Sequence, residues 1–170
     1  TDNTVVVYEQ IEGKGLSTGV SSPTLSDVVS IGSGDLDLDG SPELFVLSEN
    51  EGVVGRSQLQ SLEIPFPQPI PFSSGNTPIS LSVIKLNGEI HVAVISKEKR
   101  DYVIDLLNKQ GQSETIELGS LSRAPDKILG FDADQDERTD LLILTRDKPM
   151  KLAHQGEIGF TVLDDSEMGQ

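Results

Sequence analysis

Two stretches of the chain place a carboxylate on every second residue. Residues 34–48 read GDLDLDGSPELFVLS and carry Asp35, Asp37 and Asp39; residues 131–145 read FDADQDERTDLLILT and carry Asp132, Asp134 and Asp136. Alternating acids repel one another at neutral pH and make poor strand or helix, so each set calls for a neutralising partner. Calcium fits that part, because it takes about six to eight hard oxygens, mostly from carboxylates and carbonyls, at roughly 2.3–2.6 Å. An Asp-x-Asp-x-Asp loop turns three side chains toward one point while the intervening residues face away. Zinc fits poorly, since its sites draw on His and Cys.

The closing acid separates two kinds of loop that start this way. An EF-hand loop needs an acid at position 12 and a helix after it. Counted from Asp35, position 12 is Val46, and counted from Asp132 it is Ile143. Both are apolar and sit inside strand-like runs, which excludes the EF-hand and its dockerin relatives. At position 9 stand Glu43 and Asp140, each directly before an apolar run.

The elements that must position these loops are short. Apolar runs rich in Val, Ile and Leu (TVVVY at 4–8, LFVL at 44–47, ISLSVIKL at 79–86, IHVAVI at 90–95, YVIDLL at 102–107, LLILT at 141–145) are bounded by Gly, Pro, Asn, Asp or Ser. Helical periodicity is almost absent, and many short strands with frequent turns imply an all-β fold. Asn87-Gly88 between two such runs is a hairpin signal, because both central residues of a type I′ turn need positive φ. LFVLS from Leu44, VAVIS from Val92 and LLILT from Leu141 align at offsets of 48 and 49 residues, and Asp35 lies 97 residues before Asp132. VYEQIEGKGL (7–16) is echoed about three periods later by LAHQGEIGF (152–160). A unit of about four strands repeating every 40–50 residues or so is the signature of a β-propeller blade.

On that basis the 170 residues form one propeller segment. Residues 1–18 are expected to be the outer strands of a partial blade, with TVVVYEQ lacking partners within it, and residues 25–64, 77–119 and 125–163 three further blades. IPFPQPIPF (64–72) reads as an outer edge strand or an extended connector, since proline cannot donate to a ladder. The C-terminal FTVLDDSEMGQ ends a blade without beginning another. In the middle blade the acidic columns hold Val83, Lys85, Asn87 and His91, so that blade is expected to be free of metal.

The pattern D-x-D-x-D-G-x-x-D followed by L-x-V-L resembles the calcium loop of FG-GAP and VCBS repeats, including those of integrin α-chain propellers. The resemblance rests on the two acidic stretches, with weaker support from Gly13-Lys14-Gly15-Leu16 and from Gly156 to Phe160. It implies that Asp35, Asp37 and Asp39 are side-chain ligands, that Ser41 offers its carbonyl and that Glu43 closes the site. In the second copy it gives those roles to Asp132, Asp134, Asp136, the carbonyl of Arg138, and Asp140. Two departures stand out. Glu43 is a methylene longer than the usual Asp, and Glu137 replaces the turn glycine that Gly40 supplies in the first loop.

Composition narrows the function classes. With 28 acids against 13 bases, a formal charge of −15 and a pI near 4.3, nucleic acid and anionic membrane are poor partners. There is no cysteine, hence no disulfide framework and no thiol chemistry. No apolar run approaches the roughly 18 residues of a membrane helix, and the opening TDNTVVVYEQ reads as strand, not signal peptide. Nucleophilic catalysis finds little support, with His91 and His154 both read as structural, and exposed aromatics for a sugar platform are scarce. The leading expectation is a non-catalytic, calcium-stabilised propeller segment with two calcium sites. It would act as an adhesion-type binding or scaffold module of a larger extracellular, cell-surface or periplasmic protein. Its ligand would be a protein or a glycan, and its cover either further blades or self-association. The alternative is the propeller of a carbohydrate-active enzyme such as a polysaccharide lyase, for which Lys85 is the one obvious catalytic seed. A plainer third possibility is an intracellular scaffold with vestigial loops.

Overall fold

The computed structural model describes residues 3–71 and 76–163. Among them are sixteen strands and no helix, so none is long and apolar enough to cross a membrane. Three four-stranded antiparallel sheets follow one another, each a simple meander in which every strand pairs with the next in sequence. The first contains β5 (Val28–Gly34), β6 (Glu43–Ser48), β7 (Val53–Gln58) and β8 (Gln68–Ile70). The second contains β9 (Thr77–Leu86), β10 (Glu89–Glu98), β11 (Asp101–Asn108) and β12 (Gly111–Gly119). The third contains β13 (Lys127–Phe131), β14 (Asp140–Leu144), β15 (Lys151–Gly156) and β16 (Gly159–Leu163). Ahead of them, β1 (Thr4–Val7) pairs with β4 (Val20–Pro23) around a small hairpin of β2 (Gln10–Ile11) and β3 (Gly15–Leu16). No sheet closes on itself.

Several sequence expectations meet their geometry here. Asn87 and Gly88 both take positive φ, 49° and 91°, and Leu86 pairs with Glu89 across the two-residue turn. The proline-rich stretch supplies an edge strand, as Gln68–Ile70 pairs with β7 and Pro69 lies opposite Gly55. The first sheet therefore runs past residue 64, to Ile70; Phe72 of that stretch and residues 164–170 lie outside the described residues.

Two expectations are corrected. The N-terminal TVVVY is not unpartnered: Val5 pairs with Ser22 and Val7 with Val20, because the chain doubles back within the same unit. In the middle sheet, Lys85 does not sit in a loop at the place of Asp37. It lies within β9, opposite Ile90, because the ladder there continues to a two-residue turn. The other two sheets open eight-residue loops, 35–42 and 132–139, between their first and second strands.

The sheets stack face to face. Val5 and Val7 pack with Leu44 and Val46; Phe45 and Leu47 pack with Leu81, Val92 and Val94; Ala93, Ile95 and Leu106 pack with Ile128, Leu141 and Ile143. Every residue of β6 is buried, because the two faces of that strand serve two different cores. This is why the second strands read as unbroken apolar runs and not as alternating ones. Contact between neighbouring sheets is closest at their first strands, where β5 meets β9 and β9 meets β13. A Cβ at Gly32 would stand 2.7 Å from Val83 Cγ2, so only glycine permits that approach. Serines bridge the strands in place of a ladder. Ser30 Oγ donates to the Leu81 carbonyl and accepts from the Leu81 N–H, both at 3.2 Å, and Ser82 Oγ accepts from the Ile128 N–H at 3.2 Å.

Candidate metal centre

The two acidic loops join β5 to β6 and β13 to β14, and they are built alike. The first acid of each caps its own turn. Asp35 accepts from the N–H of Asp39 (3.0 Å) and of Gly40 (2.9 Å). Asp132 accepts from Gln135 (2.7 Å), Asp136 (3.2 Å) and Glu137 (3.0 Å). The third acid holds the backbone two residues on: Asp39 accepts from Ser41 N–H at 2.8 Å, and Asp136 from Arg138 N–H at 2.9 Å. Positions four and six are left-handed in both loops, with φ of 61° and 90° at Leu38 and Gly40, and 65° and 69° at Gln135 and Glu137.

Glu137 thus occupies the conformation that Gly40 adopts freely, and Cβ crowding there costs about 1 kcal/mol. Glu137→Gly should stabilise the protein by up to roughly 0.5 kcal/mol, the extra chain entropy of glycine offsetting part of the relieved strain. Thermal melts in chelator, so that no ion contributes, should show a rise of about one to two degrees. An unchanged or lowered melting temperature would mean that the loop carries no such strain.

Three carboxylates converge in each loop. Ligand oxygens of Asp35, Asp37 and Asp39 lie within 4.8 Å of one another, and those of Asp132, Asp134 and Asp136 do the same. Two oxygens bound to one calcium ion at about 2.4 Å can stand no more than about 4.8 Å apart. The donor set, all hard oxygen, therefore has the right chemistry and the right spread for one such ion per loop.

The ninth-position acids also anchor their loops. Glu43 and Asp140 are fully buried beneath the loops, outside the two triads. Glu43 Oε2 accepts from Leu36 N–H at 2.7 Å, and Asp140 Oδ2 from Ala133 N–H at 2.9 Å, so each ties the start of its loop to the sheet. Asp140 Oδ1 also accepts from Gln155 N–H at 2.8 Å, and Glu43 Oε1 from Gln58 Nε2 at 3.1 Å. For Ser41 and Arg138, the hydrogen bonds already given are those of their N–H groups; Arg138 Nε lies a further 3.8 Å from Asp136 Oδ2.

A basic side chain reaches each triad from the third strand of its sheet. Arg56, on β7, bonds through Nη2 to both Asp37 and Glu43. His154, on β15, sits with Nε2 2.9 Å from Asp134 Oδ2 and Nδ1 3.8 Å from Asp140 Oδ1. Loss of water around Asp37 works to raise its pKa, but the hydrogen bond and charge of Arg56 outweigh this and hold the carboxyl below its usual range. Asp134 is lowered in the same way, with His154 overcoming the desolvation. The Asp134 hydrogen bond, helped by the charges of Asp140 and Asp136, raises the pKa of His154. Neither basic side chain is marked by spacing from the loop acids. Cross-strand register was the available signal: Ala153 pairs with Leu141, which puts His154 beside Asp140, and Glu43 pairs with Gln58 two residues beyond Arg56.

The middle sheet offers no such triad among the described residues. His91 is buried with Nδ1 3.4 Å from the Glu89 carbonyl. Its hairpin instead props up the neighbouring loop. Asn87 N–H donates to Thr139 Oγ1 at 3.2 Å, and Thr139 N–H donates to Asn87 Oδ1 at 3.1 Å. Comparison with models of protein families, with curated proteins and with solved structures gave no match in any of the three.

Proposed function

We propose that this chain is a calcium-stabilised segment of a β-propeller, serving as a non-catalytic binding or scaffold module of an extracellular protein. The observation that carries the calcium reading is the duplication of one loop geometry. Two loops of different sequence fold through the same hydrogen bonds, at the same place in two sheets, and each gathers three carboxylates within the span of one ion. Asp35, Asp37 and Asp39 would hold one ion, and Asp132, Asp134 and Asp136 the other. The propeller reading draws on consecutive four-stranded meanders stacked face to face with their first strands adjacent. The catalytic alternative draws on Lys85, which lines a groove along those first strands together with Lys127 and Asp126; no histidine is among the groove's lining residues.

Removing one acid tests the assignment. Asp37→Ala should abolish the first site and leave the second, because the two loops stand in sheets that are not neighbours. Calcium titration by calorimetry should fall from two sites to one. Two sites in the variant, or none in the parent chain, would overturn the reading.

A further inference from the structure

Bases gather at the end of the second and third sheets that lies away from the acidic loops. Lys97, Lys99 and Arg100 stand around the turn from β10 to β11, and Arg146, Lys148 and Lys151 around the turn from β14 to β15. Arg123 joins them from the connector between β12 and β13. These are more than half of the 13 bases in a chain of formal charge −15. Acids interleave with most of them, but one small cavity is different. It measures about 130 Å³ and is lined by Ser122, Arg123, Thr145, Lys148 and Lys151. Each of these side chains can donate a hydrogen bond and three carry positive charge. Among the described residues no carboxylate lines it.

Its walls are held in place by the fold. Leu121 and Ala124 pack against the main core, which seats the connector. Asp126 then fastens connector to turn: its N–H donates to the Leu144 carbonyl at 2.8 Å, and its Oδ2 accepts from Arg146 N–H at 2.6 Å. Lys148 N–H donates to the Thr145 carbonyl at 3.2 Å, closing the turn through Asp147 at a φ of 58°. Asp147 Oδ2 lies 3.9 Å from Arg123 Nη1, but its side chain is 83% exposed, and such a surface pair contributes little.

We propose that this cavity binds a single oxyanion group, the sulfate, phosphate or carboxylate head of a ligand. Its volume is well below the roughly 300–1,000 Å³ of sites for drug-sized molecules, so it takes one charged head and leaves the rest of the ligand outside. Arg123 supplies the planar fork that matches an oxyanion, and Lys148 and Lys151 supply point charges. Neither calcium nor blade closure enters into this binding.

Titration of the 15N-labelled chain in chelator, read by amide chemical shifts, tests it. Sodium sulfate, inorganic phosphate and glucuronate are added in parallel, with sodium chloride at matched ionic strength as the control for screening. Saturating shifts are expected at residues 122–124 and 145–148, with only the screening response at Lys99 and Arg100, and the anion that binds tightest names the head group. Arg123→Gln and Lys148→Gln should each weaken binding about tenfold, while Arg100→Gln leaves it unchanged. Asp147→Asn removes a competing carboxylate and should tighten it. The same spectra report whether each variant is folded. Shifts that saturate with none of the three anions, that chloride reproduces, or that survive both Arg123→Gln and Lys148→Gln would overturn the proposal.

Discussion

Calcium should raise the melting temperature of this protein by roughly 10–20 °C over chelator. An ion at about 100 times its dissociation constant adds roughly 2.7 kcal/mol per site to the folded state, and two sites about double that. For a chain of this length each kcal/mol is worth about 2–4 °C. The source of the effect is electrostatic. Each triad holds three carboxylates within 4.8 Å in a chain of formal charge −15. Arg56 and His154 meet two acids apiece, leaving Asp35, Asp39, Asp132 and Asp136 without a protein cation as strong. Magnesium should do less at equal concentration, because it demands a smaller octahedral shell at about 2.0–2.1 Å. Scanning calorimetry against sodium chloride of matched ionic strength separates binding from screening. Coincident melts in calcium and chelator would dispose of the metal assignment.

Asp140→Ala should destabilise the protein by roughly 2–5 kcal/mol even in chelator. The carboxylate is fully buried and accepts from Ala133 and Gln155 N–H groups. Truncation leaves two backbone donors without an acceptor, at about 1–3 kcal/mol each, together with a small void. Asp136→Ala is the contrasting variant: it removes an exposed acid from the triad and should barely move stability in chelator while weakening calcium binding. Urea unfolding of both variants, with and without calcium, measures the difference. Equal losses in chelator would show that Asp140 is no more than another loop acid.

The fold was legible wherever local chemistry decided it. Short apolar runs between turn formers gave an all-β chain, and Asn87-Gly88 gave its hairpin, because φ preference at two residues fixes such a turn without help from elsewhere. Left-handed backbone at Glu137 was legible too, from the glycine its loop lacks. What escaped depended on register and pairing. The alignment that set Lys85 against Asp37 assumed equal loop lengths, but a ladder can lengthen at the expense of its loop with no change in apolar pattern. The partner of β1 was hidden because Val20–Pro23 has a strand's geometry without a strand's composition. Arg56 and His154 escaped for a related reason. Each lies on the third strand of its sheet, and only hairpin closure carries it to the acids.

The reciprocal bonds between Asn87 and Thr139 bear on how the repeats communicate. Thr139 is the last residue of the second acidic loop, just before the buried Asp140, and Asn87 is the tip of a hairpin in another sheet. An ion that stills the loop also stills that tip, so amide protection gained at Thr139 should extend to Asn87. A repeat with no acidic triad among its described residues would then register whether its neighbour is loaded.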